Sequence, residues 1–298
     1  MPSDLTNISS LATLACLIEA SAPKPGNVSP GKPFRDTRYE DFLASAVGAG
    51  PELGQAGTRP LGETILAAVR ATRRWTPANT NLGIILLFAP IARAAGRLGD
   101  SATRRLGLRE EVQAVLRETT LEDARLAYVA IREAHPGGLG TAGDQDLSGE
   151  PNVTLLEAMR LAQQRDLVAR EYATGFTLTF ECGHPAVRAA LDAGLPWDQA
   201  TVETSLTLLA REPDTLIARK LGREAAETTT RRAAEVLRQG GVRTVDGRAA
   251  LAAFDADLRD AQNSRNPGTT ADLTAAAVFV TLIEDGWNPD RSRVDRAQ

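Results

Sequence analysis

A chain of 298 residues with 43% hydrophobic and 24% charged side chains can bury a sizeable core, which excludes a disordered or fibrous chain. A net charge of −4 with no basic block excludes a nucleic-acid footprint. Aromatic residues make up only 4%, beside abundant alanine, leucine, arginine and glutamate, and that balance favours helices over sheets. Cys16 and Cys182 stand far apart among apolar or small neighbours and are expected reduced and buried, as in a cytoplasmic protein. Asp4 and Glu19 flank no basic stretch ahead of an apolar core, so no signal peptide is expected. The longest apolar run is interrupted by Pro90 and Arg93 and is too short for a bilayer, so no membrane partner is expected.

In chain order, Ile8, Leu11, Ala15 and Ile18 form one stripe of an amphipathic helix that begins near Thr6 or Asn7 and stops near Ala20. The stretch Ser21 to Pro33 holds Pro23, Pro25, Pro30 and Pro33 with Gly26 and Gly31, and must be a turning loop long enough to carry function. Helices are expected over Tyr39–Gly50 and Pro60–Trp75, the second opened by Pro60 and carrying Glu63 near its start. Next comes the stretch around which the chain is organised. From Leu82 to Ala92 no polar side chain occurs, so no face of a helix here can meet water. Asn79, Thr80 and Asn81 sit at its front, Thr80 or Asn81 as N-cap, and Gly83 in the first turn permits close approach. Seen alone it reads as a capped core helix. Its free backbone N–H groups also make it a candidate anion site.

Further helices are expected over Arg109–Arg117 and Leu121–Ala134, the latter ending at His135–Gly138. Gly138, Gly140 and Gly143 match G-x-G-x-x-G, but a helix precedes them and a polar loop follows, so the dinucleotide fingerprint is rejected. What remains is a flexible loop leading to Asp144 and Asp146. One long helix is expected over Leu155–Tyr172, capped by Asn152 or Thr154, then an irregular or helical Ala173–Phe180 and a break at Glu181–Pro185. Helices follow over Pro196–Arg211, Asp214–Gly222, Glu224–Gln239 and Gly247–Ala261. After the turn Asn263–Gly268, Thr269 or Thr270 caps a last helix, Ala271–Asp285. With no internal repeat, these elements predict an all-α protein: a single globular domain, residues 1–298, of about a dozen helices around a buried central helix.

The chemistry-bearing residues are sparse. His135 and His184 fall in no metal-ligand pattern, and there is neither a G-x-S-x-G elbow nor a Walker lysine motif. Several loops instead join asparagine, threonine or glycine to a carboxylate or cation: Lys24, Asp36, the Asn79 cluster, Asp144 with Asp146, Asp214 with Arg219, and Asn266 to Asp272. Each alone reads more naturally as a cap or turn. Together they suit a magnesium-bound polyphosphate, because Mg²⁺ takes a few carboxylates plus substrate oxygens.

Pro23-Lys24-Pro25-Gly26 after Glu19, Asp36 and Phe42, Asn79-Thr80 with Gly83, Asp214-Thr215 with Arg219, and Asn266-Pro267-Gly268 with Ala271-Asp272-Leu273 together resemble the triphosphoribosyl-dephospho-CoA synthase family. The resemblance runs nearly the whole chain in order. It implies an all-α enzyme that joins the triphosphoribosyl part of ATP to 3′-dephospho-CoA, releases adenine and serves prosthetic-group biosynthesis. Asn81, Leu82 and Phe34 stand where the bacterial enzymes carry a histidine, a lysine and a histidine, so the chain looks more like the archaeal-type branch. On this resemblance Asp36, Asp146 and Asp272 are candidates for catalytic base or Mg²⁺ ligand. Lys24, Gly26, Asn79, Thr80, Asn81, Gly83, Asp214, Arg219, Asn266, Gly268 and Thr269 are candidates for substrate contacts. The expected partners are ATP and dephospho-CoA or a related acceptor, with a homo-oligomer left open. Two alternatives stand beside it: a related nucleotide ribosyl transfer or hydrolysis in another cofactor pathway, and a non-catalytic nucleotide-binding helical protein.

Overall fold

The computed structural model describes residues 7–99, 101–135, 147 and 149–288. Among them are fourteen α-helices: α1 (Ile8–Ser21), α2 (Tyr39–Leu53), α3 (Leu61–Arg73), α4 (Leu82–Leu98), α5 (Ser101–Arg117), α6 (Leu121–Ala134), α7 (Leu155–Ala162), α8 (Leu167–Thr174), α9 (His184–Asp192), α10 (Trp197–Arg211), α11 (Thr215–Leu221), α12 (Arg223–Arg238), α13 (Val245–Leu258) and α14 (Gly268–Asp285). A π-helical turn, Thr179–Gly183, leads into α9. No β-strand occurs among the described residues, only an isolated antiparallel bridge between Ser29 and Lys32. The all-α expectation therefore holds. Nor is any described helix long and apolar enough to cross a membrane.

The chain divides into two compact units. One comprises the described residues of Met1–Leu17, Glu40–Thr177 and Leu282–Gly286; the other those of Ile18–Tyr39, Leu178–Thr281 and Trp287–Gln298. In the first, α4 packs against α3, α5 and α8, while α6 joins α3 to α7. Every residue from Leu82 to Ala92 is buried except Gly83, which is half-buried, as an all-apolar run demands. Pro90 does not end the helix, which continues to Leu98. A proline there lacks the N–H that would bond to the Leu86 carbonyl. The buried Tyr172 hydroxyl, on α8, donates to that carbonyl at 2.6 Å, so the orphaned acceptor is satisfied. In the second unit α10 packs against α9 and α12, and α11 and α13 both pack on α12. Ala22, Val202, Leu206, Leu209, Phe254 and Leu258 belong to its apolar core.

Several boundaries differ from the sequence reading: α5 begins at Ser101 rather than Arg109, α2 and α13 end at other residues than expected, and three further differences have a local cause. The expected long helix over Leu155–Tyr172 is two, because Asp166 turns its carboxylate to the Ala169 N–H at 3.1 Å and caps a fresh start. Glu181–Pro185 does not break the chain; the π turn carries the backbone directly into α9, with Pro185 in its first turn, where the missing N–H costs nothing. Finally, α14 begins at Gly268, so Thr269 and Thr270 lie inside its first turn rather than at its cap.

Candidate functional site

In the second unit the motifs gather around Asp214. It is the N-cap of α11 and fully buried. Its Oδ1 accepts the Leu216 and Ile217 N–H groups at 2.9 and 3.1 Å. Its Oδ2 accepts the Thr270 N–H and hydroxyl at 2.7 and 2.8 Å. One carboxylate thus holds the first turns of α11 and α14 together, satisfying donors that both helices would otherwise leave orphaned. Burial pushes its pKa up, and the hydrogen bonds from Thr270, Ile217 and Leu216 pull against that rise. The Thr215 hydroxyl adds a 3.2 Å bond to Thr269 across the same junction. A side chain at Gly268 would stand 2.6 Å from the tip of Leu216, so Leu216 would have to move to admit one at this contact between the turn and α11.

The proline-rich loop closes on the same turn. Gly26 has φ +73°, and an added Cβ would meet Leu258 at 2.8 Å and Pro267 at 3.1 Å. Its N–H donates to Asp255 Oδ1 at 2.8 Å. Asp255 also pairs with Lys32 at 2.7 Å and Arg259 at 2.9 Å, and Arg259 donates to the Asn27 carbonyl at 2.7 Å. Burial raises the Asp255 pKa, but Arg259, Lys32 and the Gly26 N–H outweigh it and hold the carboxyl below the usual range. Lys24 is buried, and its ammonium is engaged by the Glu19 carboxylate at 2.8 Å, the Ala22 carbonyl at 3.3 Å and the Glu19 carbonyl. All three of its donors therefore hold the loop's own entry.

Around this junction lie further exposed or half-buried polar groups. Asp36 is exposed, its carboxylate accepting only the Thr37 hydroxyl at 3.2 Å among the described contacts. Arg219, Asn266 and Asp272 are half-buried, and Lys220 is exposed. Desolvation lowers the Lys220 pKa, while the carboxylates of Asp214, Asp260 and Asp36 counteract it, so these groups share one electrostatic neighbourhood.

The Asn79 cluster belongs to the first unit. Asn81 occupies the N-cap position of α4 but its side chain does not cap. Its amide instead donates to the Thr72 hydroxyl at 3.1 Å, while Thr80 bonds the Ser45 hydroxyl, tying α3 and α2 to the start of α4. The exposed Asn79 supplies the cap, accepting the Leu82 N–H at 3.2 Å. Thr80 and Asn81 are buried, leaving Asn79 and the half-buried Gly83 on the outer side. Asp146, and the glycine-rich loop before it, lie outside the described residues.

Sequence reasoning missed Asp255, Arg259 and Lys32. Asp255 and Arg259 stand four apart on one helix face, a legible ion pair, but nothing in the sequence showed that the pair also receives the Gly26 loop.

The fold is that of an all-α protein in which, in the second unit, one buried carboxylate joins two helix starts beside further polar and charged groups. The chain belongs to the ATP:dephospho-CoA triphosphoribosyl transferase family, which its sequence matches over residues 5–291. A protein from Pseudomonas syringae pv. tomato assigned as 2-(5″-triphosphoribosyl)-3′-dephosphocoenzyme-A synthase is 32% identical over 122 residues. That matched segment spans 41% of this chain and 41% of the relative's length. A crystal structure from Archaeoglobus fulgidus, assigned as a triphosphoribosyl-dephospho-CoA synthase, is similar with a TM-score of 0.63 and 30% identity, covering 83% of this chain and 100% of that one.

Proposed function

We propose that this protein transfers the triphosphoribosyl group of ATP to a ribose hydroxyl of 3′-dephospho-CoA. The acceptor oxygen bonds to C1′ of the ATP ribose as the C1′–adenine bond breaks, and the hydroxyl proton is taken by a carboxylate and ends on the departing adenine. The family match over residues 5–291 is the observation that supports this reading. The gathering of three of the resemblance motifs at the Asp214 junction is consistent with it.

The transition state has oxocarbenium character, so the site must supply a base, a held triphosphate and negative charge near C1′. Asp36 and Asp272 are the resemblance-motif carboxylates among the described residues that are not fully buried, and we assign the base to this pair. Arg219, Lys220 and Asn266 would contact phosphate oxygens. Asp214 and Lys24 would shape the site from behind. No group of three or more histidine, cysteine or acidic side chains suited to a metal occurs among the described residues. Mg²⁺ would be carried mainly by the triphosphate, with one carboxylate, Asp36 or Asp272. When bound, Mg²⁺ would neutralise triphosphate charge. Both cysteines are thiols, which fits a cytoplasmic setting.

Purified protein given ATP, Mg²⁺ and dephospho-CoA should release free adenine and yield a coupled product that retains the triphosphate, both read by chromatography and mass spectrometry. EDTA should stop the reaction and Mg²⁺ or Mn²⁺ restore it. Intact ATP in this mixture, with tight nucleotide binding, would replace the proposal with a binding function; adenine release only with another hydroxyl acceptor would replace the acceptor.

A further inference from the structure

The second unit contains a cleft of ≈ 340 Å³ between α11, α12 and α13 that none of the motifs above uses. That volume lies at the small end of ligand pockets, roughly 300–1,000 Å³, so the cleft suits part of a substrate rather than a whole one. Its floor is apolar and buried: Ile217, Phe254 and Leu258. Its upper wall is polar, from Glu224, Thr228 and Arg265. It opens beside the motif junction, because Ile217 is on the helix that Asp214 caps and Arg265 immediately precedes Asn266.

The wall chemistry discriminates among the parts of the two nucleotide substrates. Arg232 is neutralised by its ion pair with Asp257, which leaves one cation, Arg265, against one carboxylate, Glu224. A triphosphate or diphosphate requires a surplus of cations and would not settle here. A nucleobase seeks an open aromatic face. The Phe254 ring is already covered by the Arg232 guanidinium, whose central carbon lies 5.3 Å from the ring centroid. A neutral chain with aliphatic carbons for the floor and amides for the wall does fit. Thr228 can donate its hydroxyl proton, Glu224 accepts, and Arg265 donates.

We infer that this cleft binds the pantetheine arm of the acceptor. The arm is uncharged, carries a dimethyl-substituted carbon and two amides, and is the one large part of either substrate with that character. The inference rests on the proposed transferase reading, and it places acceptor selection on α11, α12 and α13, away from the reacting riboses.

Thr228 and Glu224 are exposed, so Thr228→Trp and Glu224→Trp fill the cleft from its rim without entering the core. Both variants should melt within a few degrees of the parent, and either one suffices if the other fails to fold. For the filled protein, KM for dephospho-CoA should rise about tenfold, while KM for ATP, and for ADP offered as an acceptor without the arm, should stay within about twofold. A rise shared by ADP, or falling on ATP, overturns the assignment, as does an unchanged KM for dephospho-CoA. Pantetheine itself is then titrated calorimetrically against the protein alone. Saturable binding that is lost in the variants supports the cleft even where no adenine is released, and this separates it from the fate of the transferase reading. No pantetheine binding to the parent protein overturns it.

Discussion

At the scale of single residues, Asp214 and Asp272 lie near the same helix start and should answer mutation in opposite ways. Asp214 receives four donors with no exposure to water. In Asp214→Asn an amide NH₂ must face at least one backbone N–H, which cannot turn into an acceptor, at a cost of about 1–3 kcal/mol, so the melting temperature should fall by several degrees. Asp272 is half-buried one turn into α14, where its charge favours the helix start by only about 0.3–1 kcal/mol. If it serves as base or metal ligand, Asp272→Asn should lower turnover about a hundredfold while the melting temperature hardly moves. Near-normal turnover in Asp272→Asn would shift the base to Asp36. The carboxylates look alike in sequence; burial separates them.

At the scale of elements, α4 shows how a sequence rule can be overridden at one atom. Pro90 inside an apolar run breaks one backbone hydrogen bond, and the break is mended by a hydroxyl far away in sequence, Tyr172. Burial pushes the Tyr172 pKa up, so it stays a neutral donor at any pH the fold survives. Tyr172→Phe should leave the Leu86 carbonyl unsatisfied and cost about 1–3 kcal/mol, read as a lower urea midpoint with unchanged m-value. Turnover of the folded fraction should not change, since Tyr172 touches none of the candidate site residues described. The same limit explains α9. A glycine, a histidine and a proline in succession read as a stop, but a π turn absorbs the extra residue and passes the chain into a helix start that tolerates proline. Where the local signal is a side-chain cap, as at Thr154 with its capping box to Glu157, sequence and structure coincide.

At the scale of the whole molecule, several carboxylates have folded pKa values held below their ordinary range: Asp255, Asp260, Glu118, Glu133 and Glu157. A carboxyl with a depressed folded pKa contributes stability that is present above its unfolded value, about 4, and lost as pH falls through the folded value. The melting temperature should therefore be flat from about pH 6 to 8 and drop steeply below about pH 4. Asp214, with its raised pKa, has the opposite sign and loses its contribution as pH rises through its folded value. Asp255→Asn should soften the acid limb, and an unchanged acid limb would assign the loss to the other carboxylates.

The sequence by itself determined that this protein is all-α, that Leu82 to Ala92 is interior, and that it resembles its family, because these follow from composition, from a run with no polar face, and from short motifs kept in order. Only the tertiary structure decided which motif residues join helices and which stand outward. Asp214 and Asp36 differ by burial and by donors brought from other helices, and Gly26 is required by neighbours, Pro267 and Leu258, that no local spacing reveals. Such long-range contacts depend on how helices pack, and side-chain periodicity specifies the face a helix buries but not the partner it meets.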